Sequence, residues 1–368
     1  MKVLCGKEEL LKGSQLVQTV VAPRSTLPVL SNFLFETEGS MIKLSSTDLE
    51  VGVSCYIKGE IVKEGSITIP AKRFSDIIKE LPEDSSIEIR SDDTNQISIK
   101  CGKSRFSLMG LPKTDYPILP DFPKEKVLKM PKDVLKTMLR RTAFSVSNDE
   151  SRYILNGTYL NVSDGLVKLV ATDGRRLAFI SRDITDKKIN LAVVIPSKAI
   201  NEIQRILSLD EGKGEVKIGV TENQIAFQAG DVMLTSRLIE GTFPNYEQVI
   251  PKKNEAHIKL SSKEALSAVK QMALLALDKS SSIKFLFGRG TLKVSASAQG
   301  LGEGEVEMNT DYNGENLEIA FNPSFLMDIL KNVDDEQVYF ELSNALTPAL
   351  ITPVKDKSYM CVVMPMRI

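Results

Sequence analysis

Few residues in this chain have the types and spacing that catalysis requires. Two Thr-Asp pairs, Thr47-Asp48 and Thr172-Asp173, recur 125 residues apart. A hydrolase that uses Asp48 or Asp173 is one alternative, but it would need paired acids in one cleft. Because the threonine recurs together with the aspartate, a structural turn is favoured over a catalytic carboxylate.

The other reactive side chains are isolated in the sequence. The single histidine, His257, has no serine or cysteine context, so we interpret it as structural or solvated. The four cysteines lack CxxC spacing and lie in apolar segments, which favours reduced core thiols over metal or disulfide chemistry. Neither GxxxxGK[ST] nor GxGxxG occurs, so no nucleotide site or cofactor is expected. The sequence therefore predicts a protein that is not an enzyme.

One helical segment occurs three times and organises the chain. It reads IPAKRFSDIIKELP at 69–82, VIPSKAINEIQRILS at 194–208 and AFNPSFLMDILKNV at 320–333. Each copy has a proline at its start, where a helix tolerates it, and the prolines lie 126 and 127 residues apart. A period of this length predicts three similar domains, which we place at residues 1–122, 126–252 and 256–368.

Each predicted domain has two helices and about eight strands. A shorter helical repeat opens each domain, with apolar stripes that include Leu10 and Val17, Leu135 and Met138, and Ala265 and Val269. Segments rich in β-branched residues follow, and an Asp-Gly pair separates two of them within 166–182. The pattern predicts an α+β fold in which helices cover antiparallel sheets. Segments 119–126 and 250–255 combine proline with mixed charge, which predicts linkers.

Composition indicates a soluble globular protein, since 42% of the residues are hydrophobic and 26% are charged. The first residues contain too short an apolar run for a signal peptide. The longest uncharged stretch, 342–354, is 13 residues long and contains two prolines, so it is too short for a membrane span. We expect a cytoplasmic protein without a membrane partner.

The small net charge of −1 conceals an uneven distribution of charge. Six helical segments carry 14 basic and nine acidic residues, so the helices are basic and the remainder is acidic. Lys132, Lys136 and Arg140 follow at four-residue spacing and are expected to face away from the core. A mild basic excess is often only a solvated face, but repeated basic rows can also hold the phosphates of duplex DNA without reading its sequence.

Several ordered segments resemble one known family. They are RFSLMGLP at 105–112, RYILNG at 152–157, ATDGRRLA at 171–178, GTFPNYEQVIP at 241–251 and VVMPMRI at 362–368, with IPAKRF at matching spacing. Over the whole chain they resemble the bacterial DNA polymerase sliding clamp, the β subunit. The resemblance implies a non-catalytic processivity factor of the replicative polymerase, and a six-domain ring formed by a head-to-tail homodimer around duplex DNA.

Domain size agrees with six domains and not three. A domain of about 120 residues has a diameter of roughly 35 Å. Three such domains in a ring leave a hole of roughly 5 Å, and six leave roughly 35 Å, which is enough for a duplex. The chain therefore needs a partner to encircle DNA, and a second copy suffices. A monomeric three-domain scaffold that never touches DNA is the alternative, with the mass of one chain in solution.

The resemblance also implies residues that contact DNA. By similarity we assign this role to Arg24, Arg73, Arg152, Tyr153 and Lys198. The basic row adds Lys132, Lys136 and Arg140.

A groove for partner peptides is the second implied site. In the family, polymerases, the clamp loader and repair proteins insert short linear motifs with hydrophobic ends between the second and third domains. The matching residues are Leu155, Thr172, Gly174, Arg175, Arg176, Leu177, Pro244, Val249, Asn322, Phe325, Leu346, Pro348, Val362, Val363, Met364, Pro365, Met366 and Arg367. The tail is apolar almost to its end, so we expect it to be docked, with Pro365 ending its strand pairing. Departures from the family pattern at Arg175, Gln248 and Ser280 concern partner preference.

The dimer interface is implied in the same way. By similarity, the strand around Phe106 and Leu108 meets the helix end near Leu274 and Leu275. Lys103 and Arg105 are expected to face Glu303, Glu305 and Glu307, although ordinary surface charge would explain these residues equally well.

Overall fold

Each repeat in this computed structural model begins with a strand that leads directly into a helix. The structure describes residues 1–22, 26–83, 85–184, 186–209, 214–276, 282–298, 300 and 302–367. The α-helices in this part are α1 Lys7–Gln18, α2 Ala71–Glu80, α3 Lys132–Ala143, α4 Ser197–Leu209, α5 Ser262–Ala273 and α6 Pro323–Lys331. Short 3₁₀ helices occur at Pro28–Ser31, Lys113–Asp115, Glu150–Leu155 and Tyr246–Val249. The two predicted helices per repeat are confirmed.

The strands repeat in the same order. The first third contains β1 Lys2–Gly6, β2 Asn32–Glu38, β3 Met41–Thr47, β4 Val51–Ile57, β5 Glu60–Lys63, β6 Ser66–Pro70, β7 Ser86–Ser91, β8 Gln96–Cys101 and β9 Ser104–Met109. The middle third contains β10 Val127–Pro131, β11 Gly157–Ser163, β12 Leu166–Thr172, β13 Arg176–Asp183, β14 Leu191–Pro196, β15 Glu215–Val220, β16 Gln224–Ala229 and β17 Val232–Arg237. The last third contains β18 Ala256–Ser261, β19 Ile283–Gly288, β20 Thr291–Ala298, β21 Gly302–Asn309, β22 Leu317–Phe321, β23 Gln337–Leu342, β24 Ala349–Pro353 and β25 Tyr359–Val363.

The described strands are all antiparallel and form four sheets. Their orders are β5-β1-β7-β8-β9, β10-β15-β16-β17-β4-β3-β2-β6, β14-β11-β12-β13-β25-β24-β23-β18 and β21-β20-β19-β22. The chain divides into two compact units, Met1–Lys136 with Lys198–Leu238, and Thr137–Ser197 with Ile239–Ile368. Each unit therefore contains one eight-stranded sheet, and the middle third contributes to both units.

Apolar spacing positions the helices as expected, with one difference at their starts. In α2 the buried residues include Ala71, Phe74 and Ile78, at three- and four-residue spacing. Of the three repeated prolines, only Pro323 lies in the first turn of its helix, whereas Pro70 and Pro196 are the last residues of the strands β6 and β14. Both strands are sheet edges, where a residue without an N–H is tolerated.

Strand pairing between repeats forms two seams. The first seam is the pairing of β4 with β17 in the first unit, and the second seam is the pairing of β13 with β25 in the second unit. Their registers agree at equivalent positions. The matched pairs are Val51 with Ser236 and Arg176 with Val363 at one end, and Cys55 with Val232 and Ile180 with Tyr359 at the other. Each eight-stranded sheet is therefore two four-stranded repeats joined by the same contact.

The end of each repeat is also the same. A one-residue bridge joins Leu111 to Thr68, Ile239 to Val194, and Met366 to Ala320. In the first two repeats the chain continues from this bridge into the segments predicted as linkers, and these contain no strand or α-helix. In the third repeat the bridge holds the C-terminal tail, since the Met366 N–H donates to the Ala320 carbonyl at 2.8 Å. The expected docking of the tail is confirmed for the described residues.

Candidate nucleic-acid and partner sites

The basic residues predicted to contact DNA differ in their exposure. Arg73 on α2 and Lys136 on α3 are exposed, as expected for an outward row. Lys132 is only 7% exposed, so the expectation that it faces away from the core is wrong. The physical reason is its place as the first residue of α3, immediately after β10, where its N–H donates to the Gly214 carbonyl at 2.9 Å. Arg24 lies outside the described residues.

Two of the remaining cations already have a carboxylate partner. Arg140 Nη2 lies 2.5 Å from Asp334 Oδ2, and Lys198 forms an ion pair with Asp48. Both side chains are partly exposed, so these pairs exchange readily with other anions.

Arg152 and Tyr153 lie in the 3₁₀ helix Glu150–Leu155. The Arg152 Nε atom donates to Asp149 Oδ2 at 3.2 Å, and Tyr153 is 60% exposed. An exposed arginine beside an exposed aromatic ring can bind phosphate and stack on a sugar or base without reading sequence. The structure leaves both side chains accessible for such a contact.

Arg205 on α4 donates hydrogen bonds to a neighbouring helix. Its Nη2 atom donates to the Leu16 carbonyl at 2.9 Å and to Thr19 Oγ1 at 2.8 Å. These acceptors lie at the C-terminal end of α1, where a cation interacts favourably with the helix dipole. Arg205 therefore joins two helices of the first unit.

The Thr-Asp pairs are structural turns, as predicted. Thr172 Oγ1 donates to the Arg176 carbonyl at 2.7 Å, and Asp173 Oδ1 accepts the N–H groups of Arg175 and Arg176. Thr47 and Asp48 make the same bonds to their own turn. Because backbone donors occupy these carboxylates, the turn geometry accounts for the repeated motif.

The Thr172–Arg176 turn lies at the second seam and ends in an arginine that joins several elements of the predicted groove. Arg176 Nη1 donates to Asp328 at 2.6 Å, and Nη2 donates to the Phe144 carbonyl at 2.5 Å. Its guanidinium lies 4.7 Å from the centroid of the Phe325 ring, a cation–π contact. The predicted residues Arg176 and Phe325 are thus in direct contact.

An apolar cluster lies beside this arginine. Leu155, Leu177 and Val362 are buried in it together with Phe243 and Leu350. The ring of Tyr246 packs against the cluster, and burial raises its pKa to about 12, so it stays neutral. The cluster gives the second seam an apolar floor. Val249, Leu346 and Met364, which lie close in sequence to its members Ile250, Leu350 and Val362, are exposed at 48%, 75% and 41%.

The C-terminal tail follows β25 along the Thr172–Arg176 turn. β25 ends at Val363, in agreement with the prediction that Pro365 ends the strand pairing. The Met364 N–H donates to the Arg175 carbonyl at 2.8 Å, so the tail continues along the turn that contains Gly174. Asn322 Oδ1 accepts the Ser324 N–H and caps α6, next to the strand that holds Met366. Pro244, Pro348 and Arg367 are partly or fully exposed near these elements, Gln248 is exposed, and Ser280 lies outside the described residues.

A charged network lies within the second unit. Arg141 is 5% exposed, and its Nη1 and Nη2 atoms lie 2.5 Å from Asp356 and 3.0 Å from Asp334. Burial alone would raise the pKa of Asp356, but hydrogen bonds from Ser358, Arg141 and Arg182 outweigh it and hold that pKa well below its usual value. Sequence reasoning missed this network because its members are far apart in the chain.

The strands predicted at the dimer interface are sheet edges. Within the described residues, β9 pairs only with β8, and β21 pairs only with β20. On β9, Phe106 and Met109 are 39% and 63% exposed, and Leu274, just after α5, is 74% exposed. Lys103, Arg105, Glu303, Glu305 and Glu307 are exposed, and Leu108 and Leu275 are half-buried.

The described residues contain no group of three or more His, Cys, Asp or Glu side chains that could hold a metal ion. In the same residues, no helix is long and apolar enough to cross a membrane. The four cysteines are free and buried.

Comparison with known proteins gives consistent matches along the whole chain. The N-terminal, central and C-terminal domains described for the DNA polymerase III beta subunit match residues 1–120, 129–245 and 247–367. The beta sliding clamp of Chlamydia pneumoniae is 38% identical over 369 residues, which cover 100% of this chain and 99% of that protein. That of Pseudomonas aeruginosa is 38% identical and covers 98% of both chains.

Solved structures agree with these sequence matches. The Pseudomonas aeruginosa clamp bound to griselimycin superimposes with a TM-score of 0.95 at 37% identity, and the comparison covers 100% of both chains. The Bacillus subtilis DNA polymerase sliding clamp gives a TM-score of 0.96 at 29% identity, covering 100% of this chain and 99% of that one.

Proposed function

This chain belongs to the family of the DNA polymerase III beta subunit, and from that premise we propose that two copies close head to tail into a ring around duplex DNA. The protein is a DNA sliding clamp for the replicative polymerase, built from three clamp domains. It is a non-catalytic processivity factor, and its partners are DNA and a polymerase.

The repeated seam is the observation that carries the dimer proposal. Two seams within the chain join equivalent strands in the same register. In the first repeat, the strand equivalent to β17 is β9. In the last repeat, the strand equivalent to β4 is β21. A third seam of this kind would therefore pair β9 with β21. Both are edges with unpaired backbone groups, and such edges pair readily with another chain. A second copy supplies the missing strand on each side.

The known register supports a specific pairing for this third seam. In the hairpins, Ser104 occupies the position of Val232, and Val306 occupies the position of Cys55. Since Val232 pairs with Cys55 in the first seam, we place Ser104 opposite Val306. Antiparallel continuation then sets Arg105 opposite Glu305, Ser107 opposite Glu303 and Lys103 opposite Glu307.

Apolar contacts in this register agree with the predicted interface. Phe106 falls opposite Gly304, where there is no side chain to oppose its ring. A Cβ atom on Gly304 would lie 2.9 Å from Leu275 Cδ1 and 3.2 Å from Met272 Cε. The Phe106 ring is therefore placed against the end of α5, beside Leu275 and the exposed Leu274, and burial of these side chains would stabilise the dimer.

Charge reversal tests the register. We expect Arg105→Glu alone, or Glu305→Arg alone, to shift the native mass from twice 40.7 kDa towards that of one chain at micromolar concentration. The reason is that each change places like charges opposite each other. The double variant should recover most of the dimer, as measured by sedimentation.

Arg90→Glu on β7, which β8 separates from the edge strand β9, makes the same charge change away from the edge and should leave the dimer intact. Single reversals that leave the mass unchanged would contradict the proposed register, and a wild-type monomer at this concentration would contradict the dimer.

Duplex DNA is proposed to contact the exposed basic side chains. We retain Arg73, Lys136, Arg152 with Tyr153, Arg140 and Lys198 for this role, together with Arg24. Lys132 is left out because a 7% exposed side chain cannot reach a phosphate without moving. Such contacts are weak and salt-dependent. Weak contacts suit a ring that stays on DNA by encircling it and that slides along the duplex.

The groove at the second seam is proposed to receive partner peptides. Its apolar floor, its exposed rim and the methionines of the tail suit short motifs with hydrophobic ends, because methionine adapts to varied apolar partners. By family resemblance these motifs belong to the polymerase, the clamp loader, other polymerases and repair proteins. We also propose a cytoplasmic location, and domain limits at residues 1–122, 126–252 and 256–368.

A further inference from the structure

A cavity of about 610 Å³ lies on one face of the eight-stranded sheet of the first unit. Side chains alternate between the two faces of a strand. Cys55 on β4 points towards α1, since its Sγ atom lies 3.8 Å from the Gly13 carbonyl oxygen. Its neighbour Ser54 therefore points away from α1, and it lines the cavity together with Ser45 on β3. The volume lies in the range of small-molecule sites in proteins.

Two serine hydroxyls form the polar part of this cavity. Ser45 and Ser54 lie directly opposite each other in the sheet, and each is 3% exposed. In the part of the chain that the structure describes, neither hydroxyl has a hydrogen-bond partner. Buried hydroxyl groups are normally paired, because an unpaired one loses its bonds to water without replacement. The two serines therefore offer adjacent hydrogen-bonding groups to a bound molecule.

The same face of the second unit carries aromatic side chains at the equivalent positions. Ser54 pairs with Met233 at the first seam, and Phe179 pairs with Met360 at the same position of the second seam. Each pair belongs to a row of directly paired residues that continues across the sheet. The rows are Leu34, Ser45, Ser54 and Met233 in the first unit, and Tyr159, Val170, Phe179 and Met360 in the second.

Aromatic rings fill the space above this row in the second unit. The Phe243 ring stacks on Tyr159 with centroids 4.9 Å apart, and the Tyr246 ring lies 5.9 Å from Phe179. In the first unit, Leu34 and Ser54 stand at the positions of Tyr159 and Phe179. The cavity therefore corresponds to space that aromatic rings occupy in the second unit.

The walls of the cavity are apolar. Leu34 and Tyr116 are 7% and 5% exposed and pack against each other. Met233 is half-buried, and Ile118 is 97% exposed. All four side chains line the cavity. A molecule that covers Ile118 and contacts the other three would gain free energy from the apolar surface that it removes from water.

The charges at the cavity favour a neutral ligand. Lys113 Nζ lies 2.7 Å from Glu36 Oε1, and Lys43 Nζ lies 3.0 Å from Glu38 Oε2. Both lysines that line the cavity are therefore paired with a carboxylate. The remaining charged residue of the lining, Asp121, is exposed to solvent.

We propose that this cavity binds a small, neutral, planar heteroaromatic molecule. Its rings would lie against Leu34, Tyr116 and Met233, and its hydrogen-bonding edge would meet the hydroxyls of Ser45 and Ser54. Rings fit because they fill the equivalent space in the second unit, and a single polar edge fits because the two serines are adjacent. The site lies within the first unit, so it requires neither the proposed ring nor the proposed peptide groove.

The test uses the full-length protein and two probes, adenine and indole. Both are planar two-ring molecules, and adenine has more hydrogen-bonding groups along its edge. Binding is measured from the methyl resonances of Met233 and Ile118. We expect adenine to shift both resonances saturably, with one site per chain, and to bind at least tenfold more tightly than indole.

Three variants locate the bound molecule. Ser45→Ala combined with Ser54→Ala keeps the space and removes both hydroxyls, so it should weaken adenine about tenfold and change indole less than twofold. Ser54→Phe introduces the ring that the second unit has at this position, and it should abolish binding of both probes. The control Ser181→Ala removes a hydroxyl from β13 in the second unit and should leave binding unchanged.

The outcomes decide for or against the site. If neither probe shifts the Met233 resonance of the wild type, water alone satisfies the two serines and the proposal is wrong. Adenine binding that persists in a cooperatively unfolding Ser54→Phe variant would place the molecule elsewhere and would also overturn the proposal. Equal weakening of adenine and indole in the double alanine variant would contradict the role given to the hydroxyls.

Discussion

A single side chain at the first Thr-Asp turn carries backbone strain that its equivalent avoids. Leu49 has a φ of 79°, a conformation that costs a residue with a Cβ atom about 1 kcal/mol or more. At the same position of the other turn the chain has Gly174, for which this conformation has no such cost. The turn is therefore held by its Thr and Asp hydrogen bonds and not by the preference of Leu49.

This strain leads to a prediction about stability. We expect Leu49→Gly to be more stable than Leu49→Ala by about 1 kcal/mol in free energy of unfolding, because both remove the exposed side chain and only glycine relieves the strain. Urea titration of the two variants measures the difference. Equal stabilities would show that the turn is not strained.

Asp356 is the residue on which the buried network of the second unit depends. Its Oδ2 atom accepts from Arg141 at 2.5 Å and from Arg182 at 2.8 Å. Without this carboxylate, Arg141 would keep a buried charge with one partner fewer. Removing one member of such a pair typically costs several kcal/mol.

We expect Asp356→Asn to lower the free energy of unfolding by about 2 to 3 kcal/mol at pH 7, since Asp356 is partly exposed. The folded pKa of Asp356 lies below the unfolded value of about 3.9, so its contribution is complete above that pH and is lost as the pH falls. The loss of thermal stability between pH 7 and pH 2 should therefore be smaller in the variant than in the wild type.

Asp93→Asn, which changes an exposed carboxylate, is the control and should leave the stability nearly unchanged. An unchanged acid profile in Asp356→Asn would contradict the role given to this network.

At the scale of elements, the C-terminal tail follows the end of a sheet and is proposed to form one side of the peptide groove. β25 pairs with β13 and β24, whereas 364–367 contributes hydrogen bonds to Arg175 and Ala320. Deleting 364–368 should therefore leave the sheet and the dimer intact and remove one wall of the peptide groove.

We expect this deletion to abolish stimulation of the polymerase and to weaken a fluorescent partner peptide at least tenfold, with the native mass unchanged. Anisotropy titration and sedimentation measure the two effects. Full stimulation by the shortened chain would refute the assignment of the groove.

Helices and hairpins were predictable from the sequence because their signals are local. The apolar spacing of α2, α4 and α6 and the Asp-Gly turn between β12 and β13 agree with the structure. Short strands such as β5, with four residues, lack enough alternation to be recognised. Sequence alone also misplaced Lys132, because helix periodicity does not predict the burial of a first helical residue that directly follows a strand.

The repeat contains a signal for the burial of Lys132. The first residues of α1, α3 and α5 are Lys7, Lys132 and Ser262, and all three are buried. Lys7 donates to the Leu81 carbonyl at 2.6 Å and lies 2.8 Å from Glu83. The seams, in contrast, join strands up to 187 residues apart, and no local pattern specifies such a pairing.

At the scale of the whole molecule, one contact repeated three times per chain would account for the proposed closed assembly. Two of the contacts lie inside the chain, and the third is proposed to join β9 of one copy to β21 of the other. The proposed ring would need no tight binding to DNA, since a closed ring cannot leave a rod sideways. Retention should then depend on the ends of the DNA more than on its sequence.

The most direct test of this account compares the lifetime of the loaded clamp on nicked circular duplex and on linear duplex of the same length and sequence. We predict that the clamp stays on the circle for many minutes and leaves the linear DNA rapidly through its free ends. Linearising the circle after loading should release it. Equal lifetimes on the two forms would contradict encirclement and would favour binding by surface charge alone.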